Sequence, residues 1–296
     1  MFSYKNENTI QSGVDECWTA IKYVYKNADL INVDAENIIL MGDSQGGSLV
    51  TVMIKRIIEN KLKLPILQAL MYPRLNYLDY TFPSYLSNTK GDKFDDIHSA
   101  LVKAGLNRKK INKNMIEEIS QSKHLFLIED TQTRLKYLKY IDYNLIPVQF
   151  KNGNSDYKSY VKNHEQLLQQ LSLPDGDLEN DSLLKNDEDF SKAAFKLLLP
   201  EVSPCFLSNS VLNKFPQTYM IIVENETVRD ENFIFSERLK QNGVKVNVAY
   251  YLNKGKGKIN ESGYDFGKKN VTNERYIEDM IEFILNLFLK LYENVY

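Results

Sequence analysis

The chain has 296 residues, of which 43% are apolar and 26% are charged, so it is long enough to bury the core of one large domain or two small ones. Its net charge of −2, with both signs interspersed, lacks the basic surface that a nucleic-acid partner requires. No window is long and apolar enough to cross a bilayer, and three histidines and two distant cysteines give no metal-ligand spacing. We therefore expect no nucleic-acid partner, no membrane span in this chain, no metal and no other cofactor.

The first 75 residues show a helix–strand–helix–strand pattern. Apolar positions at helical spacing predict a helix over 13–26, and apolar runs predict strands over 37–41 and 66–72. A helix running to about residue 60 joins the two strands, which gives a β-α-β unit with a right-handed crossover. The first strand is almost continuously apolar, so we expect it to be buried on both faces, as in a parallel sheet.

A G-x-S-x-G motif lies between the first strand and the helix that follows it. Gly42 and Gly46 are the small residues that a tight strand-to-helix turn needs on either side of Ser44. Such a turn is a nucleophile elbow, which exposes the serine hydroxyl above the sheet and aims the N–H of Gln45 at a forming oxyanion. The alternative is a glycine-rich turn in which Ser44 only caps the helix.

The remaining chain falls into a helical part and a second sheet part. Residues 76–190 show short amphipathic helical patterns, many tyrosines and lysines, and no strong strand, which predicts a helical cap inserted into the sheet domain; a separate helical domain is the alternative. Strands over 218–224 and 244–251 and helices over 230–241 and 273–293 follow. We therefore divide the chain into core residues 1–75, cap residues 76–190 and core residues 191–296.

Seven stretches, in this order, resemble the α/β-hydrolases of the hormone-sensitive-lipase branch, and most closely the animal arylacetamide deacetylase and neutral cholesterol ester hydrolase group. They lie at 14–17, 33–37, 42–47, 70–73, 122–126, 203–204 and 229–239. The resemblance implies an α/β fold with a mostly parallel sheet, flanking helices and a helical cap insertion.

The family's chemistry is acyl transfer through a serine, a histidine base and a carboxylate that orients the histidine. By resemblance, Ser44 matches the nucleophile and Gln45 the oxyanion donor beside it. The family's acid stands four residues before the second aspartate of an Asp-x-x-Arg-Asp pattern, and Glu226 occupies that place. Asp230 is the alternative acid, and both could instead be ordinary carboxylates at the end of a strand.

The family's base is missing from its usual place. Its histidine follows the last strand and precedes a glycine, and Lys256 occupies that position here. The chain has only His98, His124 and His164, all within the predicted cap. A lysine serves as a base only if its surroundings lower its pKa by several units.

A second departure concerns the segments that precede the elbow in this family. They carry a His-Gly-Gly-Gly sequence that completes the oxyanion hole, the early strands and, in the animal group, a membrane anchor. The sequence begins after all of them, so we expect the early strands to be missing and the sheet to show an open edge. This pattern indicates an incomplete gene model or a degenerate gene copy. If a longer product carries the anchor, the resemblance places it at the lumenal side of the endoplasmic reticulum membrane.

Two functions therefore compete. The first is a serine carboxylester hydrolase that acts on small acyl esters, aryl amides or neutral lipids under an apolar cap. The second is a catalytically inactive relative that keeps the pocket and Ser44 and binds a small apolar ligand or a partner. A fragment that does not fold alone is a third interpretation.

Overall fold

A four-stranded parallel β-sheet forms the centre of the fold in a computed structural model of the chain. The structure describes residues 10–77, 82–88, 93–121, 140–151, 188–252 and 271–293, together with the single residues 158, 162, 165 and 169. The strands are β1 (Ile39–Asp43), β2 (Leu67–Met71), β3 (Gln217–Val223) and β4 (Val246–Tyr251). The helices of the sheet domain are α1 (Ile10–Lys26), α2 (Gln45–Glu59), α9 (Arg229–Gln241) and α10 (Val271–Glu293). The predicted elements of the two core parts are all present, and no boundary is shifted by more than three residues.

The strands lie in the order β1-β2-β3-β4, and each pairs in parallel with the next. Met71 of β2 is in register with Asp43 of β1 on one side and with Ile221 of β3 on the other. Because all four strands run in the same direction, their carboxyl ends meet at one edge of the sheet. The turns that follow β1 and β3 therefore share that edge, which is where ligands bind in open α/β sheets.

Two hydrophobic clusters cover the two faces of the sheet. On one face, α2 and α9 pack against β2 and β3 through residues such as Ile54, Leu70, Met220 and Phe235. On the other face, α10 packs its Tyr276 and Met280 against alternate residues of the same strands. Since successive side chains of a strand point to opposite faces, the apolar runs of β2 and β3 supply both clusters.

Strand β1 is the exception, and the prediction that it is buried on both faces is wrong. None of its five residues is buried, and the Met41 side chain is 56% exposed, whereas all five residues of β2 are buried. The reason is position, because β1 pairs with β2 on one side and is the edge strand of the sheet among the residues that the structure describes. An apolar run in a sequence does not distinguish an edge strand from a central one.

The described residues between β2 and β3 form helices and no strand. They comprise α3 (Pro83–Asn88), α4 (Lys93–Lys103), α5 (Lys113–Gln121), α6 (Val148–Lys151), α7 (Glu188–Leu198) and α8 (Asn209–Leu212), with 3-10 turns at Arg108–Lys110, Tyr143–Leu145 and Pro204–Phe206. The apolar side chains of α4, α5 and α7 join the same cluster that covers β2 and β3. We keep the name cap segment for residues 76–190, whose boundaries remain a prediction. Among the described helices, none combines the length and the hydropathy needed to cross a membrane.

Candidate active site

Ser44 lies at the sharp turn between β1 and α2, with its backbone in a left-handed conformation. Its φ is 49° and its ψ is −116°, values that a residue with a side chain rarely adopts, and the residue is exposed. Backbone hydrogen bonds hold this conformation, because the Ser44 N–H donates to the Met71 carbonyl at 3.0 Å and the Arg74 N–H donates to the Ser44 carbonyl at 3.1 Å. The Ser44 side chain makes no capping hydrogen bond to α2. Ser44 is thus the N-cap residue of α2 by position, but its side chain does not cap the helix.

The steric requirement of the turn falls on Gly42 and Gly47. A Cβ placed on Gly42 would overlap the backbone carbonyl of Gly46, and one on Gly47 would come within 2.7 Å of the Pro73 Cβ. A Cβ on Gly46 would meet no atom closer than the Asp43 Oδ1, at 3.8 Å. The expectation that Gly46 itself must be small is therefore wrong: the chain passes so close to Gly42 that the first glycine of the motif carries the constraint.

The head of α2 lies directly beside the serine. Gln45 is the first residue of this helix and is half-buried. Its N–H belongs to the first turn, whose N–H groups have no acceptor within the helix, and this end of a helix carries partial positive charge. A second serine supports the turn: the Ser48 hydroxyl donates to the Arg74 carbonyl and links α2 to the segment after β2.

The turn after β3 carries both candidate acids; we call residues 224–230 the acid turn. Glu226 is half-buried, and its backbone carbonyl accepts hydrogen bonds from the Arg229 N–H at 3.2 Å and the Asn88 side-chain amide at 3.4 Å. Asp230 is fully buried at the start of α9. One Asp230 oxygen forms an ion pair with Arg229 at 2.8 Å, and the other accepts the Ser84 N–H at 2.8 Å. Both oxygens of Asp230 are thus bonded to structural partners.

Two arginines of α9 attach it to segments far away in the chain. Arg229 stacks on the Phe150 ring at 4.3 Å and donates to the Glu224 carbonyl at 3.2 Å. Arg238 lies over the Tyr140 ring at 4.5 Å and donates to the Leu207 carbonyl at 2.6 Å and to the Cys205 carbonyl. Burial lowers the pKa of Arg238 to about 10, which still leaves the guanidinium charged at neutral pH. Both cations are therefore satisfied by aromatic faces, backbone carbonyls or a carboxylate.

The candidate base falls outside the residues that the structure describes. Lys256 belongs to the 253–270 segment that follows β4, and His124 and His164 are likewise outside the described residues. His98 is half-buried on α4 in the cap segment. The structure thus brings Ser44 and Glu226 to the same edge of the sheet, with β2 between their strands, and the base remains a prediction from the sequence.

Sequence reasoning missed two features at this edge. Tyr72 follows β2 with a φ of 35°, and its N–H donates to the Ile221 carbonyl at 2.9 Å. Nothing in the sequence indicated this conformation, since a residue before a proline normally adopts an extended one. The other feature is the contact of Ser84 with the acid turn, which joins residues 143 to 146 positions apart and leaves no local sequence signal.

Comparison with known proteins agrees with this geometry. A family model described as the alpha/beta hydrolase fold matches residues 6–117, which include the Ser44 turn. Neutral cholesterol ester hydrolase 1 of Pongo abelii is 26% identical over 227 residues, covering 74% of this chain and 48% of the relative. The chain has the α/β-hydrolase fold. Arylacetamide deacetylase of Bos taurus is a second similar protein, 24% identical over 237 residues that cover 78% of this chain and 52% of the relative.

A solved structure supports the α/β-hydrolase fold independently of the sequence motifs. One of two fungal esterases from Rhizomucor miehei superimposes with a TM-score of 0.52 at 15% sequence identity, covering 98% of this chain and 63% of that one. At this identity the likeness concerns the fold. The chain spans about half the length of the curated hydrolases that it matches.

Proposed function

We propose that the protein is a serine carboxylester hydrolase in which the Ser44 hydroxyl is the nucleophile. The observation that carries this proposal is the strained backbone of Ser44, which exposes the side chain at the carboxyl edge of a parallel sheet. Strain of this kind costs of the order of 1–3 kcal/mol and persists only where the surrounding structure enforces it. Here the close backbone approaches at Gly42 and Gly47 and the two backbone hydrogen bonds of Ser44 enforce it.

The proposed reaction proceeds in two steps. The Ser44 oxygen attacks the carbonyl carbon of an ester or amide while a base takes the hydroxyl proton, and the alcohol or amine then leaves with that proton. Water hydrolyses the acyl-serine in the second step and restores the hydroxyl. The Gln45 N–H, at the positive end of α2, is the donor we assign to the oxyanion of each tetrahedral intermediate.

We assign the orienting carboxylate to Glu226 rather than to Asp230. Asp230 is fully buried, and its two oxygens are engaged by Arg229 and by the Ser84 N–H. A carboxylate that must hold a base needs an oxygen directed at that base. Glu226 is half-buried and lies on the turn itself, at the edge of the sheet that Ser44 occupies.

We assign the base to Lys256 because it stands where related hydrolases have a histidine. An amine accepts a proton only when neutral, and an ordinary lysine is charged at pH 7, so this base requires a lowered pKa. A carboxylate such as Glu226 beside the lysine opposes that lowering. We therefore expect slow turnover at neutral pH and faster turnover at alkaline pH.

The substrate class follows from the relatives. Their names describe hydrolysis of cholesterol esters and deacetylation of arylacetamides. We propose small acyl esters, aryl amides or neutral lipids as substrates of this chain, bound beneath the cap segment.

The second candidate is a catalytically inactive relative that binds a small apolar ligand or a partner at the same site. The observation in its favour is the histidine count: the chain has three histidines, and none follows residue 164. Loss of a triad histidine typically lowers turnover by several orders of magnitude.

A fluorophosphonate probe that labels activated serines distinguishes the two candidates. The purified chain is treated with the probe alongside the Ser44→Ala variant and a Glu226→Gln variant. We expect labelling of the natural chain that is lost in Ser44→Ala and weakened in Glu226→Gln. A folded chain that remains unlabelled would refute the hydrolase proposal and favour the binding protein.

The base is tested by Lys256→His and Lys256→Met. If Lys256 is the base, Lys256→Met abolishes labelling, and Lys256→His restores the family's base and increases the labelling rate at pH 7. Equal labelling rates in all three proteins would exclude Lys256. The Lys245→Met variant is the matched control. Lys245 lies just before β4, whereas Lys256 lies in the segment after it.

A further inference from the structure

We propose that Ser84, on helix α3 of the cap segment, is a positioning residue that holds the acid turn in place. This inference rests on the proposed function, since it concerns the turn that carries Glu226. It also makes a structural claim that can be tested without any activity.

Three hydrogen bonds connect Ser84 to the acid turn. The Ser84 hydroxyl donates to the Thr227 carbonyl at 2.9 Å and accepts the Asp230 N–H at 3.2 Å. The Ser84 N–H donates to the Asp230 carboxylate at 2.8 Å. One buried serine thus contacts the backbone just before α9, at Thr227, and within its first turn, at Asp230.

A second residue of the same helix extends the contact to the candidate acid itself. The Asn88 side-chain amide donates to the Glu226 carbonyl at 3.4 Å and to the Ser84 carbonyl at 2.9 Å. Asn88 lies one helical turn beyond Ser84, so both side chains face the acid turn. The carbonyls of Glu226 and Thr227 are therefore held by the cap segment.

Burial makes the serine contact effective. The Ser84 side chain is fully buried, and so is Asp230. Without Ser84, the Asp230 N–H and the Thr227 carbonyl would lose partners at a place where water has little access. The turn would then sample other conformations, and the Glu226 side chain would move with it.

The position of an orienting carboxylate matters for catalysis because misplacement by about 1 Å can reduce a rate roughly a hundredfold. The acid turn follows β3, but its conformation is set by a helix that belongs to the cap segment. A displacement of α3 by a bound substrate would therefore change the position of Glu226.

The test compares Ser84→Ala, Ser84→Thr and Ser87→Ala with the natural chain. Ser87 is the matched control because it lies on the same helix and its hydroxyl donates to the Pro83 carbonyl at 2.7 Å within that helix. Two quantities are measured: hydrogen exchange of the peptide covering 224–230, and the kcat and KM for p-nitrophenyl butyrate hydrolysis.

We expect Ser84→Ala to accelerate exchange in 224–230, including the Asp230 amide, while β2 and β3 stay protected. We expect its kcat to fall roughly ten- to a hundredfold with KM changed by less than about threefold. Ser84→Thr keeps a hydroxyl and restores both quantities, and Ser87→Ala resembles the natural chain.

Unchanged exchange in 224–230 in Ser84→Ala would overturn the inference whatever the activity. So would faster exchange spread equally over β3 and α9, because it would mean a general loss of stability. If the natural chain shows no hydrolysis, the proposed function fails, and local exchange alone decides whether Ser84 holds the turn.

Discussion

The two turns that form the candidate site are stabilised in different ways. The turn at Ser44 is set by glycines within six residues and by backbone hydrogen bonds to the neighbouring strand end. The acid turn is set by side chains, namely Arg229 of α9 and Ser84, which lies 146 residues before Asp230. The first turn thus depends on its own motif and on the end of the neighbouring strand, whereas the second depends on how the cap segment packs against the core.

The largest expected effect comes from removing the buried carboxylate of the acid turn. Asp230→Ala leaves the Arg229 guanidinium and the Ser84 N–H without their carboxylate, so we expect the free energy of unfolding to fall by about 3–5 kcal/mol. Urea denaturation at pH 7 measures the loss. Glu237→Ala on the same helix is the control, since its partially exposed ion pair with Lys240 contributes less than about 1 kcal/mol. Similar losses in both variants would mean that the buried pair does not stabilise this turn.

The next effect tests the steric origin of the turn at Ser44. Gly42→Ala forces a Cβ into the backbone of Gly46, and we expect it to lower the free energy of unfolding by about 3 kcal/mol. Gly46→Ala is the matched variant from the same motif. Its Cβ has room and lies in α2, so its effect should stay within about 1 kcal/mol and be neutral or stabilising. Thermal denaturation of the two variants measures both losses of stability. Equal losses would refute the claim that, of these two glycines, only Gly42 is sterically required.

A smaller effect is expected from the hydroxyl that links α2 to the end of β2. Ser48→Ala leaves the Arg74 carbonyl without this donor, and we expect a loss of about 1–2 kcal/mol in the free energy of unfolding. Thr51→Val is the control, because its hydroxyl donates to the Gly47 carbonyl inside the same helix at 3.0 Å. A loss in Ser48→Ala no larger than that in Thr51→Val, again by urea denaturation, would show that this link does not support the turn.

The smallest effect concerns a tyrosine of β4 near the acid turn. The Tyr250 ring contacts Phe150 and Phe233, and among the described residues its buried hydroxyl has no hydrogen-bond partner. We expect Tyr250→Phe to raise the free energy of unfolding at pH 7 by up to about 1 kcal/mol. Tyr251→Phe, which breaks a hydrogen bond to Asp279, should lower it instead.

The same tyrosine predicts a change at alkaline pH. Burial, followed by the nearby Glu224 charge, raises the pKa of Tyr250 to about 12, above its ordinary value of 10. Because the folded chain keeps this proton to a higher pH than the unfolded chain does, the shift lowers the stability of the fold as the pH rises from 10 to 12. The Tyr250→Phe variant should therefore lose less stability over this interval than the natural chain. The decline is measured by urea denaturation at several pH values. An identical decline in both proteins would contradict the raised pKa of Tyr250.

The turn at Ser44 could be predicted from the sequence because the signals that mark it are contiguous. An apolar run, a G-x-S-x-G motif and an amphipathic helix together gave strand, turn and helix, and the structure has all three. The same local information misjudged Gly46, whose role depends on how closely the chain passes Gly42. It also overestimated the burial of β1, since the apolar character of a strand does not reveal whether it has a neighbour on both sides.

By itself, the sequence determined the α/β pattern, the helical character of the described cap residues and the position of Ser44 at a strand-to-helix junction, because hydrophobic period and glycine placement act over short distances. Only the tertiary structure decided that Asp230 is buried against Ser84 and that α3 contacts the acid turn. The physical reason is that these features depend on contacts between segments separated by more than a hundred residues, and such contacts form only when the chain has folded.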